Sequence, residues 1–349
     1  MPDGVYIGVR PDASRLLHAF QGAPTDRVPY WDHEIGSALK SYVLGRPLSQ
    51  AGITAAEYVE FAQRIGMDAI GFGIGCSIGR VSRQASDGTW HYVDGSIKTW
   101  DNLRSTSLPD PEPSFERLEC YLEAVRGTDI GVWAYSYGPF DPTYLAMGYT
   151  DFMLALYDDL PLVEAIMDLQ LEYNIAVFKR LCRYPMTFLM VGEDISQKDG
   201  LMVRPELHDR LWLPRMQQLI AAPKAAGIPL LFHSDGQLRQ LLPWVAELGF
   251  SAIHPIEPYS NDIYAIKRQW GSKITLAGNI DIAGPLAFGT PSEVREDVCQ
   301  HMQGLKPGGR WVMCSSNSVT DNIPGANYQA MLEAWRDYGS YESDECGKT

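Results

Sequence analysis

From Ile130 onward, short runs of β-branched and aromatic residues alternate with longer segments in which apolar residues recur at three and four spacing. That alternation is the sequence form of repeated βα units, and it confines the chain to a parallel sheet covered by helices. The strand-like runs are VWAYSYG, FLMVGED, LLFHSD, SAIHPIEP, ITLAGNID and WVMCSSNS, with helical stretches such as LVEAIMDLQLEYNIAVFKRL and PELHDRLWLPRMQQLIAAPKAAG between them. Upstream, RVPYWDHE (Arg27 to Glu34) and MDAIGFGIG (Met67 to Gly75) read as two earlier strands, separated by the helical AAEYVEFAQRIG. The count is eight, and every connection is long enough for a right-handed crossover, so the expected fold is a single α/β domain, a (β/α)8 TIM barrel spanning residues 1–349.

Three departures from regularity are expected. Ser14 to Phe20 forms an N-terminal helical extension with a polar start at Asp12 or Ser14. Between Cys76 and Pro113, the turn signals Asp87-Gly88 and Asp94-Gly95 stand among strand formers, which places an inserted antiparallel β-hairpin after strand 2. The polar tail, residues 339–349, is expected to fray.

A formal net charge of -14 makes a nucleic-acid backbone or an anionic membrane surface a repelled partner. No stretch approaches the roughly 18 uncharged residues of a membrane span. The six cysteines are scattered without C-x-x-C spacing and no signal segment opens the chain, which reads as free thiols in a reducing cytoplasm.

Barrel enzymes place their chemistry at the C-terminal ends of the strands. Those ends carry Asp32, His33 and Glu34; Glu193 and Asp194; His233 and Asp235; Glu257; Asn279 and Asp281; and Cys314 and Asn317. An imidazole, a thiolate and carboxylates converging on one mouth match the donor set of zinc. The expected ligands are Glu193, His233 and Cys314, with Asp235 either a fourth ligand or the acceptor that orients the imidazole. The plainer alternative is that His233 and Asp235 pair with each other while Cys314 fills the core; the convergence of three strand ends favours metal. Glu193, Asp235 and Asn317 are the candidates for catalytic roles. Asp32, His33, Tyr144, Asn279 and Asp281 are the expected substrate contacts.

RVPYWDHE, GPFDPTYLAMGYTDFMLALYDDLPLVEAIMD, LLFHSDGQLRQLLPWVAELGFSAIHPIEP and ITLAGNIDIAGPLAFGTPSEVREDV together resemble the uroporphyrinogen decarboxylase superfamily, over about residues 14 to 338. The resemblance implies the single-domain barrel and leaves two activities open, porphyrinogen decarboxylation and corrinoid-dependent methyl transfer. The decarboxylases carry an arginine-bearing stretch after Pro-x-Trp, where this chain has Asp32, His33 and Glu34, and a catalytic aspartate where it has GFGIGC. Their late histidine corresponds to Asn317. Thiol-directed methyltransferases of the superfamily have a zinc set resembling H-x-C with a distant Cys, whereas the second position here is Asp235. A harder zinc site suits an oxygen ligand. The resemblance therefore implies the O-demethylase branch, in which a methoxylated aromatic gives its methyl to cobalamin on a separate corrinoid-binding protein. A thiol-directed methyltransferase, a decarboxylase and a non-catalytic binding barrel are the alternatives.

Overall fold

The computed structural model describes residues 4–49, 51–85 and 90–342. Its strands are β1 (Ala69–Gly73), β2 (Arg80–Gln84), β3 (Trp90–Gly95), β4 (Gly131–Tyr137), β5 (Phe188–Gly192), β6 (Ser196–Gln197), β7 (Gly200–Leu201), β8 (Leu230–His233), β9 (Ala252–His254), β10 (Thr275–Ala277) and β11 (Trp311–Val312). Seven of these form one parallel sheet in the order β1-β4-β5-β8-β9-β10-β11, with helices between successive members. This is the expected TIM barrel.

The first expected strand is reduced to a seam. Trp31 N–H donates to the Met313 carbonyl (3.2 Å) and Met313 N–H to that of Pro29 (2.9 Å), an isolated parallel bridge beside β11. On the other flank Asp68 N–H reaches the Tyr30 carbonyl, while Tyr30 N–H is taken by the Asp68 carboxylate rather than by backbone. Proline has no N–H to offer and a side chain occupies the next ladder position, so no regular strand develops.

Pleating divides the core in two. Residues facing the helices form the larger cluster, and the opposite set fills the barrel with Trp31, Trp133, Phe188, Met190, Leu231 and Val312. Trp133 stacks on Phe188 at 5.8 Å, and Trp31 meets Trp133 edge-on at 5.2 Å. Ala69, Ala252 and Ala277 are the small members that leave room for these rings. The helix Ala13–Gln21 starts at Asp12, whose carboxylate caps Ser14 N–H. It stoppers the N-terminal end with Leu16, Ala19 and Phe20, and its Ala19 carbonyl accepts from Thr275 Oγ1 at 2.7 Å.

The inserted hairpin is β2 paired antiparallel with β3, and it leans on the helix Asp141–Met147 through Tyr92 OH and the Leu145 carbonyl (3.2 Å). Asp87-Gly88 lies outside the described residues. Asp94-Gly95 makes no turn between strands: it ends β3, with Asp94 accepting from Gly95 N–H and Lys98. Of the expected tail, residues 343–349 are likewise outside the described part. Cys76, Cys120, Cys182 and Cys314 are free thiols, whereas Cys299 is disulfide-bonded, which corrects the expectation of six free thiols. Among the described residues no helix is long and apolar enough to cross a membrane.

Candidate active site

β8 and β9 pair in a register that sets His233 beside His254, and both rings turn into the mouth of the barrel. They stack at 5.0 Å between centroids with their Nδ1 atoms 2.7 Å apart. His33, from the seam segment, lies 5.3 Å from His233 and 5.9 Å from His254. Burial pushes all three imidazoles below their ordinary pKa, His33 to about 3, so they are neutral at physiological pH.

The outward nitrogen of His233 faces carboxylates. Its Nε2 is 3.7 Å from Asp194 Oδ1 and 3.6 Å from Asp235 Oδ1. Asp194, His233 and Asp235 each offer a ligand atom, and these atoms lie within 4.8 Å of one another. Asp194 is held by the N–H of Asp235 (2.9 Å), and Asp235 by the amide of Asn317 (2.9 Å). Asn317 also reaches toward Glu257, whose other oxygen accepts from Gly236 N–H. Burial and the charges of Asp194 and Glu257 push the Asp235 carboxyl up to about 8; burial and Asp194 do the same to Asp141. Carboxylates that disfavour one another's charge around a neutral imidazole make a site that a cation relieves.

Of the ligands expected from sequence, the structure brings together His233 and Asp235 and adds Asp194. Glu193 points elsewhere. Its Oε1 accepts from Phe140 N–H (2.7 Å) and Asp141 N–H (2.9 Å), and burial raises its pKa well above the carboxylate range. Cys314 is buried inside the barrel, where burial and the Asp32 charge drive its pKa well up. Among the described residues neither Glu193 nor Cys314 joins the donor group.

The expected substrate contacts divide similarly. His33 is in the mouth. Tyr144 stands against the rings of Phe140, Tyr149 and Phe152, with its hydroxyl on Asp141. Asp281 caps its own turn through Ala283 N–H at 2.8 Å. Asp32 is fully buried, accepting from Tyr30 OH and from the N–H and Oγ of Ser315, and so ties the seam to the last unit. Asn279 is spent on the Ile256 carbonyl and on His301 Nε2.

His254 and Asp194 are the site residues that sequence reasoning passed over. His254 ends a strand adjacent in order to the one bearing His233, and that adjacency was the available signal. Asp194 follows Glu193 directly, and which of the two faces the mouth depends on a backbone turn at Phe140 that no spacing reveals.

Fold and site together define a parallel barrel with a histidine and carboxylate cluster at its C-terminal mouth. Residues 11–338 match the uroporphyrinogen decarboxylase (URO-D) family, and the chain belongs to it. A methyltransferase from Methanosarcina mazei has a similar structure, with TM-score 0.72 and 18% identity over 93% of this chain and 97% of that one. A dihydropteroate synthase from Xanthomonas albilineans overlaps weakly, with TM-score 0.33 and 14% identity over 46% of this chain and 58% of that one. No curated protein sequence matches.

Proposed function

We propose that this chain is a zinc-dependent methyltransferase that moves a methyl group from a methoxylated aromatic ether to cob(I)alamin on a separate corrinoid-binding protein. The observation that carries the reading is the convergence of His233 Nε2 with Asp194 and Asp235 at the strand ends. The fold shared with a methyltransferase supports it.

Zinc fits these residues by donor chemistry and by charge. One imidazole and two carboxylates leave a position open, as catalytic zinc sites do, and the cation offsets the crowding that holds Asp235 protonated. Bound there, zinc supplies a Lewis acid for an ether oxygen. The residues of the chain do the remaining work. Asn317 fixes the rotamer of Asp235, and Asp235 N–H fixes Asp194. Trp31, Trp133 and Phe188 close the floor of the mouth to water. Overall, a carbon–oxygen bond breaks with its electron pair going to oxygen, and the methyl carbon bonds to cobalt.

The decisive experiment incubates the zinc-loaded protein with a methoxylated aromatic and a reduced corrinoid protein and follows both methylcobalamin and the released phenol. Stoichiometric appearance of the two is expected. Faster methylation of a thiol from methylcobalamin would replace this reading with the thiol-directed one.

A further inference from the structure

Ile256 is fully buried and holds φ +60, a conformation in which a β-branched residue is an outlier. It stands between His254, at the end of β9, and Glu257. A turn strained in this way persists only where its surroundings leave no alternative. The exit of β10 supplies them. Gly278, at φ +149, lies so close that a Cβ there would stand 2.2 Å from the Pro255 carbonyl oxygen, and Asn279 Nδ2 donates to the Ile256 carbonyl at 2.6 Å. A carbonyl can only accept, so the Asn279 amide has one orientation, and its Oδ1 is left to accept from His301 Nε2 (3.0 Å) on the helix Pro291–Leu305. Asn279 is 2% exposed, so water does not compete for either contact.

Beyond Ile256 the contacts lead to the donor group. Glu257 Oε2 accepts from Gly236 N–H at 2.7 Å, and Asn261 Nδ2 donates both to the Gly236 carbonyl (2.8 Å) and to that of Glu257 (3.2 Å). Gly236, at φ +81, follows Asp235, whose Oδ1 is 3.6 Å from His233 Nε2. The exit of β10 therefore grips the exit of β9, and the exit of β9 grips the turn that carries Asp235.

We propose that Asn279 is a positioning residue. Oriented by His301, it locks Ile256 in its left-handed turn, and Glu257 passes that placement through Gly236 N–H to Asp235. Both polar ends of Asn279 are engaged within the fold, so its part in the site is exerted through Asp235 rather than by touching a substrate. Without its donor, Ile256 relaxes toward negative φ and Glu257 loses its hold on Gly236. The consequence for metal rests on the zinc reading of the site; the relay from His301 to Gly236 does not.

Two measurements on the intact protein test this: hydrogen exchange at the Gly236 amide in the metal-free state, and zinc affinity by competition with a chelator. Asn279→Asp keeps the acceptor for His301 and removes the donor to Ile256. It is expected to speed exchange at Gly236 by roughly tenfold or more while the amides of β5 keep the rates of the parent, and to weaken zinc by about 10 to 100-fold, as loss of an outer partner does. His301→Gln, which can still donate to Asn279, should behave as the parent, and His301→Leu should shift both readings in the direction of Asn279→Asp. Glycine takes positive φ freely, so Asn279→Ala should speed Gly236 exchange by a smaller factor in an Ile256→Gly background than alone. Parent-like exchange at Gly236 in Asn279→Asp, equal acceleration at Gly236 and in β5, or the same factor for Asn279→Ala in both backgrounds overturns the proposal. A parent that holds no zinc, with Gly236 loosened in Asn279→Asp, sinks the zinc reading and leaves the relay standing. Zinc held as tightly by Asn279→Asp as by the parent, with Gly236 exchange unchanged, does the reverse.

Discussion

The Nδ1 atoms of His233 and His254 are 2.7 Å apart, so one carries the proton that the other accepts. A metal on His233 Nε2 requires that proton to sit on His233 Nδ1, with His254 as acceptor. Replacing His254 with phenylalanine should therefore lower zinc affinity by about 10 to 100-fold, the usual effect of removing such a partner. Asparagine, whose amide oxygen can accept, should restore part of it. Competition against a zinc chelator measures both, and equal losses in the two variants would show that His254 only fills space.

Metal content should follow the donor geometry. If zinc sits at the proposed site, His233→Ala, Asp194→Asn and Asp235→Asn are each expected to lose most of it, since each removes one of the three candidate donors. Cys314→Ser should retain it, because the thiol lies in the barrel core outside the donor group. Elemental analysis after gel filtration separates this ligand set from one containing Cys314.

Acid stability should carry the signature of His208. This fully buried ring packs between Phe140 and Trp244, neither nitrogen has a hydrogen-bond partner among the described residues, and burial pushes its pKa down to about 4. Between pH 6.5 and 4 the unfolded chain binds a proton there that the native protein does not, so stability falls on acidification through that window and not below it. The loss is about 1.4 kcal/mol per pH unit for one such group. His208→Phe should flatten the acid limb of a urea-denaturation series by one proton; an unchanged slope would mean that the ring already protonates in the folded state.

Gly138 should tolerate no side chain. A Cβ built there stands 1.2 Å from Glu193 Oε2, so Gly138→Ala must displace the carboxylate that organises the turn at Phe140 and Asp141. A loss of about 1 to 3 kcal/mol is expected from overpacking, on top of the lost hydrogen bonds. The double variant Gly138→Ala with Glu193→Ala should lose less than the sum of the two single variants, because the clash and the missing carboxylate are one defect.

The barrel was legible because its period is written many times over: each buried strand is a short apolar run and each covering helix a longer one, and eight such pairs admit few other arrangements. The seam was harder to read. RVPYWDHE has strand composition, but the carboxylate of Asp68, 38 residues beyond Tyr30, occupies its ladder position. At the site, His233 and Asp235 could be found because polar side chains at the end of an apolar run demand a reason. Asp32 and Asn279 looked equivalent by that test, yet their partners come from Ser315 and His301, and no local pattern distinguishes a carboxylate that serves a ligand from one that fastens the fold.

The bond between Ser315 N–H and the Asp32 carboxylate joins residues 283 positions apart. During synthesis the seam emerges before every strand of the sheet and its neighbour β11 after all the others, so the sheet grows strand by strand as an open, curling ribbon with an unfinished edge. Until the last unit of the sheet leaves the ribosome, Trp31 has no closed interior to enter, and Asp194, His233 and Asp235, already made, stand on a surface. Long-range closure of this kind is slow and exposes edges that aggregate. A ribosome stalled before residue 313 would therefore hold a chain that has its histidine and aspartates but no vessel around them, and such a chain is a client for a chaperone before it is a catalyst.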